Sequence, residues 1–203
     1  MSRLRVAPIV EGQGEVECVP ILLGRIWFEL LGGEYVEVVK PTRVKLHLIV
    51  KSGELEKTVR LALKKLINPP RSSDPALILI LLDADEDCPR ALGPSLRDRA
   101  RKVCPPEIDV ACVLAKYEYE TWFAAAAESL SGHLGLSANF CASENPEESH
   151  LRKAWVEGHF KAQGKKYGET VDQPKLTHSM DPALCRKRSP SFDKLCRELE
   201  RLR

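Results

Sequence analysis

An unbroken apolar run, ALILILL at residues 76–82, constrains the fold more than any other part of the sequence. A strand with one face in solvent alternates apolar and polar residues, whereas this run has no polar position. Strands that are apolar on both sides occur in parallel sheets whose two faces are covered by helices. The run therefore predicts the central strand of a parallel sheet and, with it, an α/β fold.

The first 115 residues alternate apolar runs with amphipathic helical patterns. Such alternation implies right-handed crossovers and an open sheet with helices on both faces. Pro20 is expected in the first turn of its helix, where a missing N–H does no harm. Strands are predicted over 3–10, 35–39, 44–50, 76–82 and 109–115, and helices within 15–31 and over 52–67 and 94–103.

Beyond residue 115 the pattern changes to helices and loops. Helices are predicted over 120–130 and 150–163, and two short helices begin at Asp181-Pro182 and Ser189-Pro190, which match the N-cap/N1 arrangement. Residues 131–149 are expected to form a loop, and no element is assigned to the polar, glycine-containing stretch 164–175. We predict a catalytic domain over 1–127 and a helical C-terminal extension over 128–203, packed on the same domain.

Composition indicates a globular protein without a membrane anchor. The chain is 43% hydrophobic and 30% charged, has no run approaching the ~20 apolar residues of a membrane span, and lacks a signal-peptide pattern. Its seven cysteines form no C-x-x-C pair, and the odd number argues against a disulfide framework. A cytoplasmic location is therefore expected.

Charge is distributed unevenly along the chain. Residues 151–203 carry 13 Lys/Arg against 7 Asp/Glu, whereas residues 1–150 carry 18 against 22. A basic tail beside an acidic body suits a polyanionic ligand bound through a metal ion. A solvated basic helix surface explains the same tail equally well.

Acidic residues follow two of the predicted strands. Glu11-Gly12 follows the first strand, and Asp83-x-Asp85 follows the central one. In an extended chain Asp83 and Asp85 point the same way, and functional groups of open parallel sheets collect at the carboxyl ends of the strands. A hard cation such as Mg²⁺ offsets the repulsion between such carboxylates. A solvated turn with helix-capping aspartates is the alternative.

The ordered motifs VEGQGE, LLDADED, EYETW and VDQPKL…RSPSF resemble the TOPRIM fold of topoisomerases, bacterial primases and overcoming-lysogenization-defect nucleases. The chain is most similar to a family of small stand-alone TOPRIM-like bacterial proteins, often found in defence or mobile-element contexts, without a firmly assigned function. The resemblance implies a Rossmann-like sheet of about four mostly parallel strands with flanking helices. It also implies Glu11 as general acid/base or metal ligand, and Asp83 and Asp85 as ligands of Mg²⁺ or Mn²⁺.

Further residues extend the predicted site. Asp87 is a further candidate metal ligand beside Asp83 and Asp85. Glu118 and Glu120 come just after strand 109–115, so Glu120 is a candidate ligand for a second metal, although it also fits a simple helix start. Predicted substrate contacts comprise Gly12, Glu15, Arg186, Arg188 and Lys194, the last three facing phosphate near a helix N-terminus. The alternative for this tail is a capped helix packing through Phe192, Leu195 and Leu199.

These features predict a Mg²⁺-dependent enzyme acting on phosphodiesters, namely a nuclease that binds DNA or RNA. Two alternatives remain open. One is a regulatory subunit without turnover that acts beside an ATPase partner, since the sequence has no G-x-x-x-x-G-K-[ST] of its own. The other is an aspartate-nucleophile phosphatase using Asp83, which fits less well because that fold places D-x-D on the first strand.

Overall fold

A computed structural model describes residues 4–67, 74–134, 136–138, 140–141, 145–148 and 152–203. These residues contain a five-stranded parallel sheet, which confirms the predicted α/β class. The strands are β1 (Leu4–Val10), β2 (Val36–Val38), β3 (Thr42–Arg43), β4 (Ala76–Asp83) and β5 (Asp109–Ala115). The order is β2-β1-β4-β5, and β3 also pairs with β1. The fifth strand arises because β2 and β3 pair with successive parts of β1.

Helices occupy both faces of this sheet. They are α1 (Gln13–Arg25, continued by a π-helical turn Ile26–Leu30), α2 (Leu46–Ile49), α3 (Glu54–Ile67), α4 (Pro89–Arg101), α5 (Glu120–Ala125), α6 (Ala127–Leu130), α7 (Arg152–Ala162), α8 (Glu169–Ser179), α9 (Pro182–Arg188) and α10 (Pro190–Glu200). A 3₁₀ turn covers Pro146–Glu148. No helix in the described parts of the chain is long and apolar enough to cross a bilayer.

The central strand divides two hydrophobic cores. Leu77, Leu79 and Leu81 of β4 face one core, and Ile78, Ile80 and Leu82 face the other. The first core contains residues of α1 together with Leu176 and Phe192 from the C-terminal helices; the second contains residues of α3 and α4. Burial on both faces is the reason that β4 has no polar position, as the sequence predicted.

The segment 44–50 was predicted to be a strand, and this prediction is wrong. The strand that pairs with β1 here is Thr42–Arg43, after which the Val44 amide donates to the Val10 carbonyl at 2.8 Å. Leu46–Ile49 then form the helical turn α2. The Glu11 carboxylate accepts a hydrogen bond from the Leu46 amide at 3.1 Å, so the start of α2 is held by a side chain 35 residues away. A long-range contact of this kind overrides local strand propensity.

Two helical predictions also need correction. Helix α1 begins at Gln13, so Pro20 lies inside the helix and not in its first turn. Helix α8 occupies part of the stretch 164–175 to which no element was assigned, and it contains Pro174. In both cases packing maintains a helix across a residue that lacks the N–H donor, because α1 and α8 lie against each other in the first core.

Candidate active site at the carboxyl edge of the sheet

The carboxyl ends of β1, β4 and β5 lie side by side because the three strands are adjacent and parallel. Asp83 is the last residue of β4 and pairs in register with Ala115, the last residue of β5. Strand β1 on its other side ends at Val10, directly before Glu11. The topology therefore brings the acids that follow these strands to one edge of the sheet.

Asp83 lies at the centre of a group of carboxylates. Its pKa is raised well above its ordinary value, first by burial and then by four neighbouring negative charges. These neighbours are, in decreasing order of effect, Glu15, Glu120, Glu11 and Asp85. We refer to these five residues as the carboxylate cluster. Glu11 and Asp85, which were predicted to converge with Asp83, therefore both act on its carboxyl group, as do Glu15 and Glu120.

Glu11 is held by one oxygen and leaves the other without a partner. Its Oε1 accepts from the Leu46 amide at 3.1 Å, whereas Oε2 is buried and has no hydrogen-bond partner among the described residues. A buried carboxylate oxygen without a donor is costly unless a cation or a proton neutralises it. This oxygen is the clearest indication that the edge of the sheet suits a bound cation.

Gly12 and Glu15 fit together at the start of α1. A Cβ atom at Gly12 would lie 2.2 Å from Glu15 Oε2, so the absence of a side chain allows Glu15 to fold back over the N-cap. Burial is the largest cause that raises the pKa of Glu15, and the charges of Glu169 and Glu11 add to it. Gly12 and Glu15 were predicted to contact substrate, whereas Glu15 acts on Asp83 as a member of the carboxylate cluster and Gly12 leaves room for its side chain.

Asp85 and Asp87 are arranged differently from Asp83. The chain leaves the strand after Asp83, and Asp85 adopts the left-handed conformation with φ of 45° while its amide donates to the Tyr117 carbonyl at 2.9 Å. The expectation that Asp83 and Asp85 point the same way on an extended chain is therefore wrong. Both Asp85 and Asp87 are exposed, and Asp87 lines a cavity beside α4.

Glu120 both begins helix α5 and enters the cluster. Only 3% of its surface is exposed, and its Oε1 accepts hydrogen bonds from Tyr167 Oη at 2.9 Å and from Gln173 Nε2 at 3.5 Å. Burial raises the pKa of Glu120 to about 7, although the Tyr167 hydrogen bond lowers it. The carboxyl group can therefore gain or lose a proton near neutral pH.

The C-terminal part of the chain supplies partners that sequence reasoning missed. Tyr167 and Gln173 contact Glu120, and the Lys153 ammonium forms an ion pair with Glu169. A Cβ atom at Gly14 would lie 2.0 Å from Gln173 Oε1, so the second glycine of VEGQGE permits the close approach of α8. Gln173 stands in the D-Q-P motif that the sequence analysis noted without assigning it a role.

The predicted phosphate-binding cations of the tail are already paired within the chain. Arg186 pairs with Asp193 at 2.9 Å and Glu200 at 3.0 Å, Arg188 pairs with Glu128, and Lys194 pairs with Glu198 at 2.9 Å. Ser189 caps α10 by accepting from the Phe192 amide at 3.1 Å. The side chains of Phe192, Leu195 and Leu199 are buried, as expected for the alternative of a capped, packed helix.

Oxygen ligands are the type that Mg²⁺ prefers, and the cluster offers only carboxylates. Within the described ranges, however, no three His, Cys, Asp or Glu side chains already form a coordination set. Glu11, Asp83 and Glu120 are the residues placed to hold an ion, because one has an unpaired buried oxygen and the pKa of each of the other two is raised. The donor chemistry thus fits the metal, and the close coordination geometry is not preformed.

A comparison with curated proteins and one with solved structures found no match to this chain. A family model described as a domain of unknown function, DUF4276, matches residues 10–200. This span includes every member of the carboxylate cluster and all the C-terminal helices that support it. The chain therefore belongs to the DUF4276 family.

Proposed function

We propose that the protein is a Mg²⁺-dependent enzyme of the TOPRIM type that cleaves phosphodiester bonds in DNA or RNA. The observation that carries the proposal is Asp83, a carboxyl group at the end of a central parallel strand with four further acids acting on it. Such a concentration of negative charge at the ligand-binding edge of an open sheet is costly without a cation. A divalent metal ion, when bound, would supply positive charge to polarise a phosphate.

The chain's own residues have distinct parts in this proposal. Asp83 and Glu11 hold the ion, and the exposed Asp85 is a further oxygen ligand for an ion shared with substrate phosphate. Glu120 can hold or release a proton near neutral pH, which is the property that general acid–base catalysis requires. Tyr167 and Gln173 fix the orientation of its carboxylate.

A cytoplasmic location belongs to the same proposal. The cysteines are free, and four of them, Cys18, Cys112, Cys185 and Cys196, are buried in the cores. Thiols stay reduced in the cytoplasm, so free cysteines suit that compartment. A partner ATPase also remains a proposal, because the chain has no phosphate-binding P-loop motif.

Cleavage of nucleic acid by the purified chain tests the proposal. Single- and double-stranded DNA and RNA are incubated with wild type in Mg²⁺, in Mn²⁺ and in EDTA. We expect metal-dependent cleavage that Asp83→Asn and Glu11→Gln abolish and that Glu120→Gln lowers by roughly 10²–10⁴-fold. Glu107 is an exposed acid that precedes β5, whereas the candidate site follows that strand. Glu107→Gln is therefore the matched control and should keep wild-type activity.

Two results would count against nuclease activity. Cleavage that survives both Asp83→Asn and Glu11→Gln would exclude the carboxylate cluster as its source. Absence of cleavage together with saturable Mg²⁺ binding, lost in Asp83→Asn, would support the regulatory subunit. The phosphatase alternative predicts a phosphoaspartate at Asp83, which mass spectrometry of a quenched reaction would detect.

A further inference from the structure

The cavity that Asp87 lines contains no member of the carboxylate cluster in its lining. It has a volume of about 670 Å³, within the roughly 300–1,000 Å³ typical of small-molecule sites. Helix α4 and helix α10 form its walls, and the edge strand β5 forms its floor. Glu86, Asp87 and Cys88, which follow Asp83 after a short turn, line its rim.

The floor of this cavity is apolar. Cys112 and Leu114 of β5 contribute to it, and Pro94 and Pro190 line it from the two helices. Gly93 of α4 lines it as well, and the nearest atom to a Cβ built there is the Cys112 carbonyl oxygen at 4.0 Å. The missing side chain leaves room above the floor. A flat, largely apolar group such as a nucleobase is the kind of ligand that this surface can accommodate.

Charged side chains of both signs surround the apolar floor. The lining carries five cations and three acids: Arg90, Arg97, Lys116, Lys194 and Arg197 against Glu86, Asp87 and Glu147. One of the acids is already engaged, because Glu147 Oε1 accepts hydrogen bonds from Ser189 and Ser191. Cations around an apolar floor match a ligand that has both a flat ring and a phosphate.

Arg90 and Lys116 are the cations free to meet such a phosphate. In the described part of the chain neither forms an ion pair, whereas Arg97, Lys194 and Arg197 pair with acids of their own helices. The Lys116 ammonium lies 3.6 Å from the centre of the Tyr117 ring, an attraction that a phosphate can supplement. Cys88 is the N-cap residue of α4. Hydrogen bonds from the amides of Ala91 and Arg90 lower the pKa of its thiol, and the charges of Lys116 and Arg90 lower it further.

We propose that this cavity is a nucleotide subsite, in which Arg90 and Lys116 bind a phosphate and the floor of Cys112 and Leu114 receives the base. The inference rests on the proposed function for its choice of ligand, since a nucleic-acid strand entering the carboxylate cluster would place a neighbouring nucleotide here. A free nucleotide offers the same chemistry. The binding itself requires neither metal nor catalysis.

Alkylation of Cys88 provides a direct measure of occupancy. Cys88 is exposed and lines the cavity, and Cys141 is an exposed cysteine that serves as an internal control. The full chain is treated with iodoacetamide in EDTA, and both sites are quantified by mass spectrometry. At ten times its dissociation constant a bound nucleotide should slow Cys88 alkylation about tenfold, because only unoccupied protein reacts.

The added ligands are a nucleoside 5′-monophosphate, a 5′-phosphorylated single-stranded oligonucleotide, inorganic phosphate and the unphosphorylated nucleoside. We expect the nucleotide or the oligonucleotide to protect Cys88 while Cys141 is unaffected. Protection by the oligonucleotide alone assigns the subsite to a strand, and equal protection by the monophosphate assigns it to a free nucleotide. Equal protection by inorganic phosphate, or no protection by any ligand, would overturn the proposal.

Two variants test the position of the subsite. Gly93→Leu fills the cavity, and it should not weaken α4 because glycine is a poor helix former. Its control is Gly158→Leu on α7, where a Cβ atom has no neighbour within 4 Å. Arg90→Gln removes one phosphate contact at an exposed position and does not depend on the outcome for Gly93→Leu. Protection that persists in both variants would refute the assignment.

This experiment and the cleavage assay fail independently. Protection of Cys88 without any cleavage would leave the nucleotide subsite standing and reject the proposed nuclease. Metal-dependent cleavage without protection of Cys88 would support the nuclease and reject the subsite.

Discussion

Replacing Glu120 with glutamine tests the electrostatics of the carboxylate cluster without requiring any activity. The pKa of Glu120 rises from its ordinary value of 4.5 to about 7 in the folded protein, chiefly because the side chain is buried. Between pH 4.5 and pH 7 the Glu120 carboxyl group therefore keeps its proton in the folded state and releases it in the unfolded state. The stability contributed by the protonated group is complete below pH 4.5 and is lost as the pH rises through 7.

The expected magnitude follows from the size of that pKa difference. Each pKa unit corresponds to about 1.4 kcal/mol, so the loss amounts to about 3 kcal/mol above pH 7. With 3% of the residue exposed, solvent screens little of this cost. Glu120→Gln keeps the shape and an oxygen that can accept from Tyr167, but it carries no charge. The variant should match wild type at pH 4 and be about 3 kcal/mol more stable at pH 8.

Urea denaturation in EDTA, followed by tryptophan fluorescence from pH 4 to pH 8.5, measures this difference. With a urea m value of about 2 kcal/mol/M, the midpoint of Glu120→Gln should exceed that of wild type by about 1.5 M at pH 8. The exposed Glu107→Gln is the control and should follow wild type at each pH. A gain that is the same at pH 4 and pH 8, or a loss at pH 8, would refute the reasoning.

Three further results are expected. Tyr167→Phe removes a donor to Glu120, so the pKa of that carboxyl should rise further and an NMR titration of its side chain should shift to higher pH. Mg²⁺ at 100 times its dissociation constant should stabilise wild type by about 2.7 kcal/mol at pH 8 in thermal melts, and no stabilisation would contradict a metal site. Gly33→Ala should lower the free energy of unfolding by about 1–3 kcal/mol in urea denaturation, because its Cβ would lie 2.2 Å from the Trp27 indole nitrogen. Gly24→Ala on α1 is the contrasting case: its Cβ meets nothing within 4 Å, so it should raise the free energy of unfolding by about 0.5–1 kcal/mol.

Local pattern was sufficient for the elements whose character depends on burial alone. Strand β5 has the predicted bounds, and the apolar run of β4 forms a central strand buried on both faces. The caps at Asp181 and Ser189 form as predicted, because a side-chain oxygen that bonds the next free amides needs no distant partner. Parallel strands also bring Glu11 and Asp83 to the same edge, which is a consequence of topology.

Local pattern failed where a distant contact decides the conformation. Leu46 begins a helical turn because a carboxylate from the end of β1 binds its amide. Helix α8 forms in a stretch of weak periodicity because it packs on α1 and fits against Gly14. The assignment of Arg186 and Arg188 to phosphate relied on their charge, whereas the structure provides acidic partners for both on neighbouring helices.

The sequence by itself determined the central strand β4, the strand β5, and that the first and central strands end in carboxylates. Only the tertiary structure decided that Glu15 acts on Asp83 and that Asp85 leaves the strand in a left-handed conformation. It also decided that Tyr167 from the α7–α8 connection and Gln173 of α8 contact Glu120. The physical reason is that a carboxyl group's pKa depends on its burial and on the charges around it in space. Both are set by residues tens of positions away along the chain, and no local pattern encodes that distance.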